Sequence, residues 1–71
     1  MYDEIWAVDV KRIKKYFQDT GQILGRDVEV YELPERPVGR YQFPQTRVVI
    51  SGENADELHR KFVLNFISIG G

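Results

Sequence analysis

Residues 46–71, TRVVISGENADELHRKFVLNFISIGG, decide the fold, because a strand pattern changes into a helix pattern across one short break. Residues 47–51 are rich in β-branched side chains and predict a strand. A break at Gly52 follows, and Asn54 is a residue type that caps helix starts. We therefore predict a strand and then a helix that ends near Phe66.

The predicted C-terminal helix carries apolar side chains nearly all the way round its surface. A short apolar run of this kind also fits a strand, and periodicity alone does not separate the two over residues 63–69. A small three-stranded sheet cannot cover every one of these side chains, so the surplus forms an exposed patch, which typically marks an interface. The predicted protein interface consists of Val63, Leu64, Ile67 and Ile69.

The length and the residue types limit what the chain can build. The length of 71 residues predicts one small globular domain, 1–71, with a thin core. The absence of cysteine excludes disulfides and thiolate metal sites, and a single histidine provides no set of imidazole ligands. We expect no metal and no cofactor, which leaves packing and oligomerisation as the means of stabilisation.

The charges nearly balance, with 10 basic and 11 acidic residues and a formal net charge of −1. A net charge near zero favours association and gives no overall attraction to nucleic acid or to an anionic membrane. No apolar stretch reaches the about 18 residues that a membrane span needs, and the acidic N-terminus does not resemble a signal peptide. The sequence therefore predicts a cytoplasmic protein with no membrane partner.

The N-terminal region predicts a helix over residues 3–20, followed by Gly21 at the position after the helix end. Residues 5–8 also fit an extended segment, in which case the helix starts after Asp9. The apolar residues that recur at helical spacing are Trp6, Val10, Ile13 and Phe17.

The middle of the chain predicts strands over residues 27–33, 39–43 and 47–51. Prolines 34 and 37 are expected to end the first of these, and Pro44-Gln45 is expected to form a tight turn. The predicted fold is α+β with the order α-β-β-β-α, a three-stranded antiparallel meander with two helices packed on one face. The predicted core contains Trp6, Val10, Ile13, Phe17, Val28, Val30, Tyr41, Phe43, Val48, Ile50, Leu58 and Phe62.

Two groups of residues resemble chemical sites, and both have simpler interpretations. Ser51, Asp56 and His59 contain the residue types of a hydrolase triad, but Asp56 also suits the first turn of a helix, where the dipole favours a carboxylate. Glu53, Asp56 and Glu57 cluster at the same helix start and lack the spacing of a calcium loop. We predict that the protein is not an enzyme.

Basic residues provide the alternative to a protein interface. Four cations lie within five residues of the first helix, outside its apolar face: Lys11, Arg12, Lys14 and Lys15. A second group, Tyr31 with Arg40 and Arg47, lies on the open sheet face, where an aromatic ring flanked by cations can stack on a base. These residues predict a nucleic-acid accessory protein as the alternative function.

The apolar C-terminal segment favours a small interaction or adaptor module without enzymatic activity. The predicted partner is a second copy of the chain, in a homodimer, or another protein. Nucleic acid is the less favoured partner because the net charge gives it no general attraction.

Overall fold

The computed structural model describes the backbone of residues 1–69 and the side chains of residues 1–67. It contains three antiparallel strands and two helices, so the predicted α+β class is confirmed. The elements in chain order are β1 (Tyr2–Trp6), α1 (Val10–Asp19), β2 (Val28–Val38), β3 (Tyr41–Ile50) and α2 (Ala55–Ile69).

The central strand is β3, which pairs antiparallel with β1 on one side and with β2 on the other. Val48 and Ile50 of β3 lie on the same face of the sheet, because side chains two apart on a strand point the same way. Both belong to the buried core together with residues of the two helices. The two helices therefore cover one face, as predicted, and they meet where Phe17 stacks on Phe62. The buried core consists of Ile13, Phe17, Val28, Val48, Ile50, Ala55 and Phe62.

The predicted helix over residues 3–20 is wrong in its first part, and the element order is β-α-β-β-α. Residues 2–6 form β1, and α1 begins at Val10, as the alternative start after Asp9 required. The Asp9 side chain accepts a hydrogen bond from the Lys11 backbone N–H at 2.8 Å. This cap fixes the helix start, while pairing with β3 satisfies the backbone groups of the preceding residues.

The prolines do not end the strands, contrary to expectation. β2 runs through Pro34 and Pro37, and β3 runs through Pro44, so the predicted strands 39–43 and 47–51 are one strand. A register shift between Leu33 and Arg36 places two residues of β2 opposite one residue of β3. Such a β-bulge accommodates residues that cannot donate to the ladder.

β2 and β3 extend past the end of β1 as a two-stranded arm, residues 33–45, closed by the two-residue turn Gly39-Arg40. The predicted core positions Tyr41 and Phe43 are wrong, because both lie on this arm and are exposed. Among the residues with described side chains, the core cluster includes none from the arm, so the helices leave the arm largely uncovered. The arm makes the molecule elongated, with extents of 41 × 26 × 20 Å.

α2 continues as a helix to Ile69, so the strand interpretation of residues 63–69 is wrong. The helix packs along β1. Near its start it contacts Tyr2, and further on Phe62 and Phe66 contact Trp6. These contacts show that α2 runs in the same direction as β1.

The buried threonine at the base of the arm provides a stability prediction. Thr46 is 0% exposed, and its hydroxyl donates to the Val8 carbonyl at 2.7 Å. Thr46→Val keeps the shape but leaves that carbonyl without its donor, so we expect the free energy of unfolding to fall by about 1–2 kcal/mol. Urea unfolding followed by circular dichroism measures it.

The matched control for this prediction is Thr20→Val at the exposed end of α1. The Thr20 side chain is exposed, and its hydroxyl donates to the Tyr16 and Phe17 carbonyls, which also accept backbone hydrogen bonds from Thr20 and Gln22. We expect the control to lose only a few tenths of a kcal/mol, since exposed hydrogen bonds are replaced by water. Equal losses at the two sites would contradict the role given to Thr46.

Candidate interaction surfaces

The first surface is the α2 outer stripe, which we define as Arg60, Leu64 and Ile67. These positions are four and three residues apart and therefore share one side of the helix. Leu64 is 55% exposed and Ile67 is 62% exposed, whereas Val63 is partly buried against the core. Of the predicted interface residues, two thus lie on the outer stripe, and the side chain of Ile69 lies outside the described residues.

The second surface is the outer side of α1, where all four predicted cations are exposed. Ile13 and Phe17 turn inward, so the cations occupy the remaining arc of the helix. Within residues 1–67 none of them takes part in an ion pair. The cations are Lys11, Arg12, Lys14 and Lys15.

The third surface is the sheet face that the helices leave open, and its charges are paired with each other. Arg47 donates to both carboxylate oxygens of Asp3, at 2.8 and 2.5 Å, and its guanidinium lies 5.7 Å from the centre of the Tyr31 ring. The Tyr31 hydroxyl donates to Glu29, and this hydrogen bond raises the pKa of Tyr31. The hydrogen bond from Arg47 lowers the pKa of Asp3.

The lowered pKa of Asp3 predicts how stability changes with pH. A carboxylate whose pKa is lower in the folded state stabilises the fold above its unfolded pKa, about 3.9, and loses this effect as the pH falls through the folded value. At neutral pH we expect the urea midpoint of wild type to be slightly higher than that of Asp3→Asn. In acid the two midpoints should become equal. Glu53→Gln, which removes the same charge at an exposed carboxylate, is the control for the change in net charge.

The structure separates the residues of the predicted nucleic-acid surface. Tyr31 and Arg47 lie together on the open sheet face, on the side of the sheet away from the helices. Arg40 lies in the turn at the tip of the arm. One link remains between the two groups, because Lys14 and Tyr31 line a common groove of about 250 Å3 at the outer edge of β2.

Two residues of the triad interpretation, Asp56 and His59, take other partners. Asp56 accepts a hydrogen bond from the Tyr2 hydroxyl at 2.6 Å, and His59 donates to Glu4 at 2.8 Å. The rings of Tyr2 and His59 stack, with centroids 3.8 Å apart. These contacts join α2 to β1, so the polar side chains help to hold the helix against the strand.

The acidic cluster lies at the start of α2, as predicted, with Asp56 and Glu57 in the first helical turn. Glu57 pairs with Lys61 one turn later, at 3.2 Å. Across the described residues no group of three or more potential ligands could hold a metal ion. No described helix is long and apolar enough to cross a membrane.

The fourth surface was missed by the sequence interpretation and lies on the open face of the arm. We call it the arm notch: a concave region of about 370 Å3 between the end of β1 and the arm. Ile5, Val38 and Phe43 are its exposed large apolar side chains, and Arg36 is the charged residue that lines it. The sequence feature that could have predicted this surface is the pair Gly39-Arg40, because a two-residue turn joins two strands that pair with each other as a hairpin.

Comparison with protein-family models, with curated proteins and with solved structures found no match for this chain. Functional proposals therefore depend on the four surfaces themselves.

Proposed function

We propose that the protein is a small interaction module that self-associates through the α2 outer stripe. The observation that carries the proposal is the exposure of Leu64 and Ile67 on one side of α2, while Phe62 and Phe66 pack inward. Among residues 1–67, α2 thus has large apolar side chains that are more than half exposed.

A second copy is the occupant that the charges favour. The net charge of −1 produces almost no repulsion between copies. A two-fold axis beside α2 lets the stripe of one copy meet the same stripe of another, which is the most common symmetry of small oligomers. Arg60 at one end of the stripe then lies away from the axis, where water can solvate it.

The size of the stripe sets the expected affinity. The stripe contains two large apolar residues over about two turns of helix. It therefore buries less surface than the roughly 1,200–2,000 Å2 of a standard stable interface. We therefore expect a dimer that dissociates in the micromolar range or above, and not a permanent one.

Sedimentation velocity over a range from micromolar to near-millimolar concentration tests the proposal. Wild type should shift from monomer toward dimer, and Leu64→Asp or Ile67→Asp should remain monomeric, because an aspartate would bury an unpaired charge at the two-fold axis. Gln18→Asp, at an exposed site on α1, makes the same change in charge and should dimerise like wild type.

Two outcomes would contradict self-association through this stripe. One is a wild-type protein that stays monomeric at the highest concentration. The other is aspartate variants that dimerise as wild type does while remaining folded by circular dichroism.

Nucleic-acid binding by α1 is the second candidate function. It is favoured by one observation: the four exposed cations of α1 make no ion pair with any residue whose side chain is described. Lys14 and Tyr31 in a common groove add a place where a base and a phosphate can both be contacted. Glu29, which lines the same groove, and the acidic residues elsewhere on the surface limit the expected affinity.

Fluorescence anisotropy with a mixed-sequence single-stranded oligonucleotide tests this candidate. The logarithm of the binding constant should fall linearly with the logarithm of salt concentration, and Lys14→Gln with Lys15→Gln should reduce the slope by about 1.4, at roughly 0.7 per contact. Lys61→Gln is the control and should leave the slope unchanged. Absence of binding at low salt would exclude the candidate.

A further inference from the structure

Two of the three prolines interrupt the edges of the arm, one on each edge. Val38 and Tyr41 flank the two-residue turn and form a hydrogen-bonded pair, and such pairs alternate along an antiparallel ladder. Pro37, opposite Gln42, therefore points its ring nitrogen away from β3. By the same alternation Pro44 points away from β2, toward the side where β1 has ended. A proline on an edge offers no donor to an incoming strand.

The faces of the arm are open, and their charges are separated. The arm notch contains Arg36 and no carboxylate. A different notch at the base of the arm, on the side of α1, is lined by three carboxylates, Asp9, Glu32 and Glu35. Arg36 forms no ion pair within the described part of the chain.

The apolar side chains of the notch have no role in the core. Ile5 is 61% exposed, and Val38 and Phe43 are nearly half exposed, although all three belong to regular strands. Large apolar side chains next to an unpaired cation form a surface that suits a ligand with the opposite charge and an apolar group of its own.

We propose that the arm notch binds an acidic, apolar peptide segment of a partner protein. An aliphatic or aromatic side chain of the segment enters between Ile5, Val38 and Phe43, and a neighbouring carboxylate pairs with Arg36. The segment docks against the face of the arm, where the apolar side chains and Arg36 lie, and the prolines leave each edge without a donor at one position. This surface is separate from the α2 outer stripe, so the proposal does not depend on self-association.

Three fluorescein-labelled peptides serve as probes in anisotropy titrations. The first alternates glutamate with phenylalanine and isoleucine. The second replaces each glutamate with lysine, and the third replaces the apolar residues with serine. We expect the first to bind at least about tenfold more tightly than either of the others, which is a difference of about 1.4 kcal/mol.

Variants of the protein locate the site. Arg36→Glu and Phe43→Ser should each weaken binding of the first peptide by about tenfold or more. Arg26→Glu, at an exposed arginine that lines a different groove, is the control and should bind like wild type. Arg36→Glu changes an exposed residue, so its urea midpoint should match wild type and verify folding.

Three results would overturn the proposal: no saturable binding of the acidic peptide up to millimolar concentration, equal binding of the lysine peptide, or binding that Arg36→Glu leaves unchanged. Displacement of the acidic peptide by oligothymidylate at lower concentration would also overturn it, since the notch would then prefer nucleic acid. Ile67→Asp separates the two proposals, because it should abolish dimerisation and leave peptide binding intact.

Discussion

Replacing Phe62 with alanine is expected to leave a large part of the protein unfolded at room temperature. Phe62 is 0% exposed, and its ring contacts Trp6, Tyr16, Phe17 and Phe66. Truncating a buried phenylalanine costs about 3–5 kcal/mol, because the apolar contacts are lost and a cavity remains. A core of this size rarely supplies more than about 3–5 kcal/mol of net stability.

Circular dichroism with urea titration measures this prediction. The matched control is Tyr41→Ala, which removes an aromatic ring of similar size from the arm, where the residue is 70% exposed. We expect the control to change the free energy of unfolding by less than about 0.5 kcal/mol. A Phe62→Ala protein with a urea midpoint near that of wild type would show that the aromatic cluster does not hold the helices together.

Gly52→Ala is expected to destabilise the fold by about 1–3 kcal/mol. Gly52 lies between β3 and α2 with φ at +94°, a value that side-chain-bearing residues rarely adopt. A Cβ atom at this position would also approach Asp27 Oδ1 to 3.0 Å, so the Asp27 side chain would have to move. Thermal and urea unfolding should both show the loss.

Gly25 provides a control for the backbone part of this effect. Its φ of +93° is nearly the same, but a Cβ atom there would meet nothing within 4 Å. Gly25→Ala should therefore report the conformational cost alone, and the excess at Gly52 should report the displacement of Asp27. In an Asp27→Ala background the excess should disappear. An unchanged stability in Gly52→Ala would contradict the whole account.

Much of the core could be predicted from the sequence, because periodicity records which face is buried. Ile13 and Phe17 on α1 and Val48 and Ile50 on β3 follow the helical and strand periods, and all four are buried. The start of α1 was ambiguous because Trp6 fits the apolar face of a helix and of a strand equally well. Only the pairing of β1 with β3 decides between them, and that contact spans about 40 residues of chain.

The strand boundaries could not be predicted, because the effect of a proline depends on which edge its nitrogen faces. Pro37 and Pro44 were interpreted as chain breakers, yet both lie inside strands. The edge they face depends on the hairpin register and on where β1 ends, and both are properties of the folded sheet. Splitting β3 at Pro44 led directly to the wrong burial of Tyr41 and Phe43.

Of the candidate surfaces, the sequence likewise predicted one and missed another. Exposure of Leu64 and Ile67 followed from counting more apolar residues than a small sheet can cover. The arm notch did not, because Ile5 and Phe43 are distant in sequence and become neighbours only when β1 pairs with β3. Composition can indicate that a chain has surplus apolar surface, but only the register of the strands determines where on the fold that surface lies.

A single strand, β3, has one half inside the core and the other half in solvent. Backbone amides of residues 46–50 should exchange with deuterium only on global unfolding, whereas those of the exposed half can open locally. Sequence change is therefore tolerated very differently along ten consecutive residues. Descendants of this chain could diversify what the outer half touches while the inner half, and with it the ability to fold, stays the same.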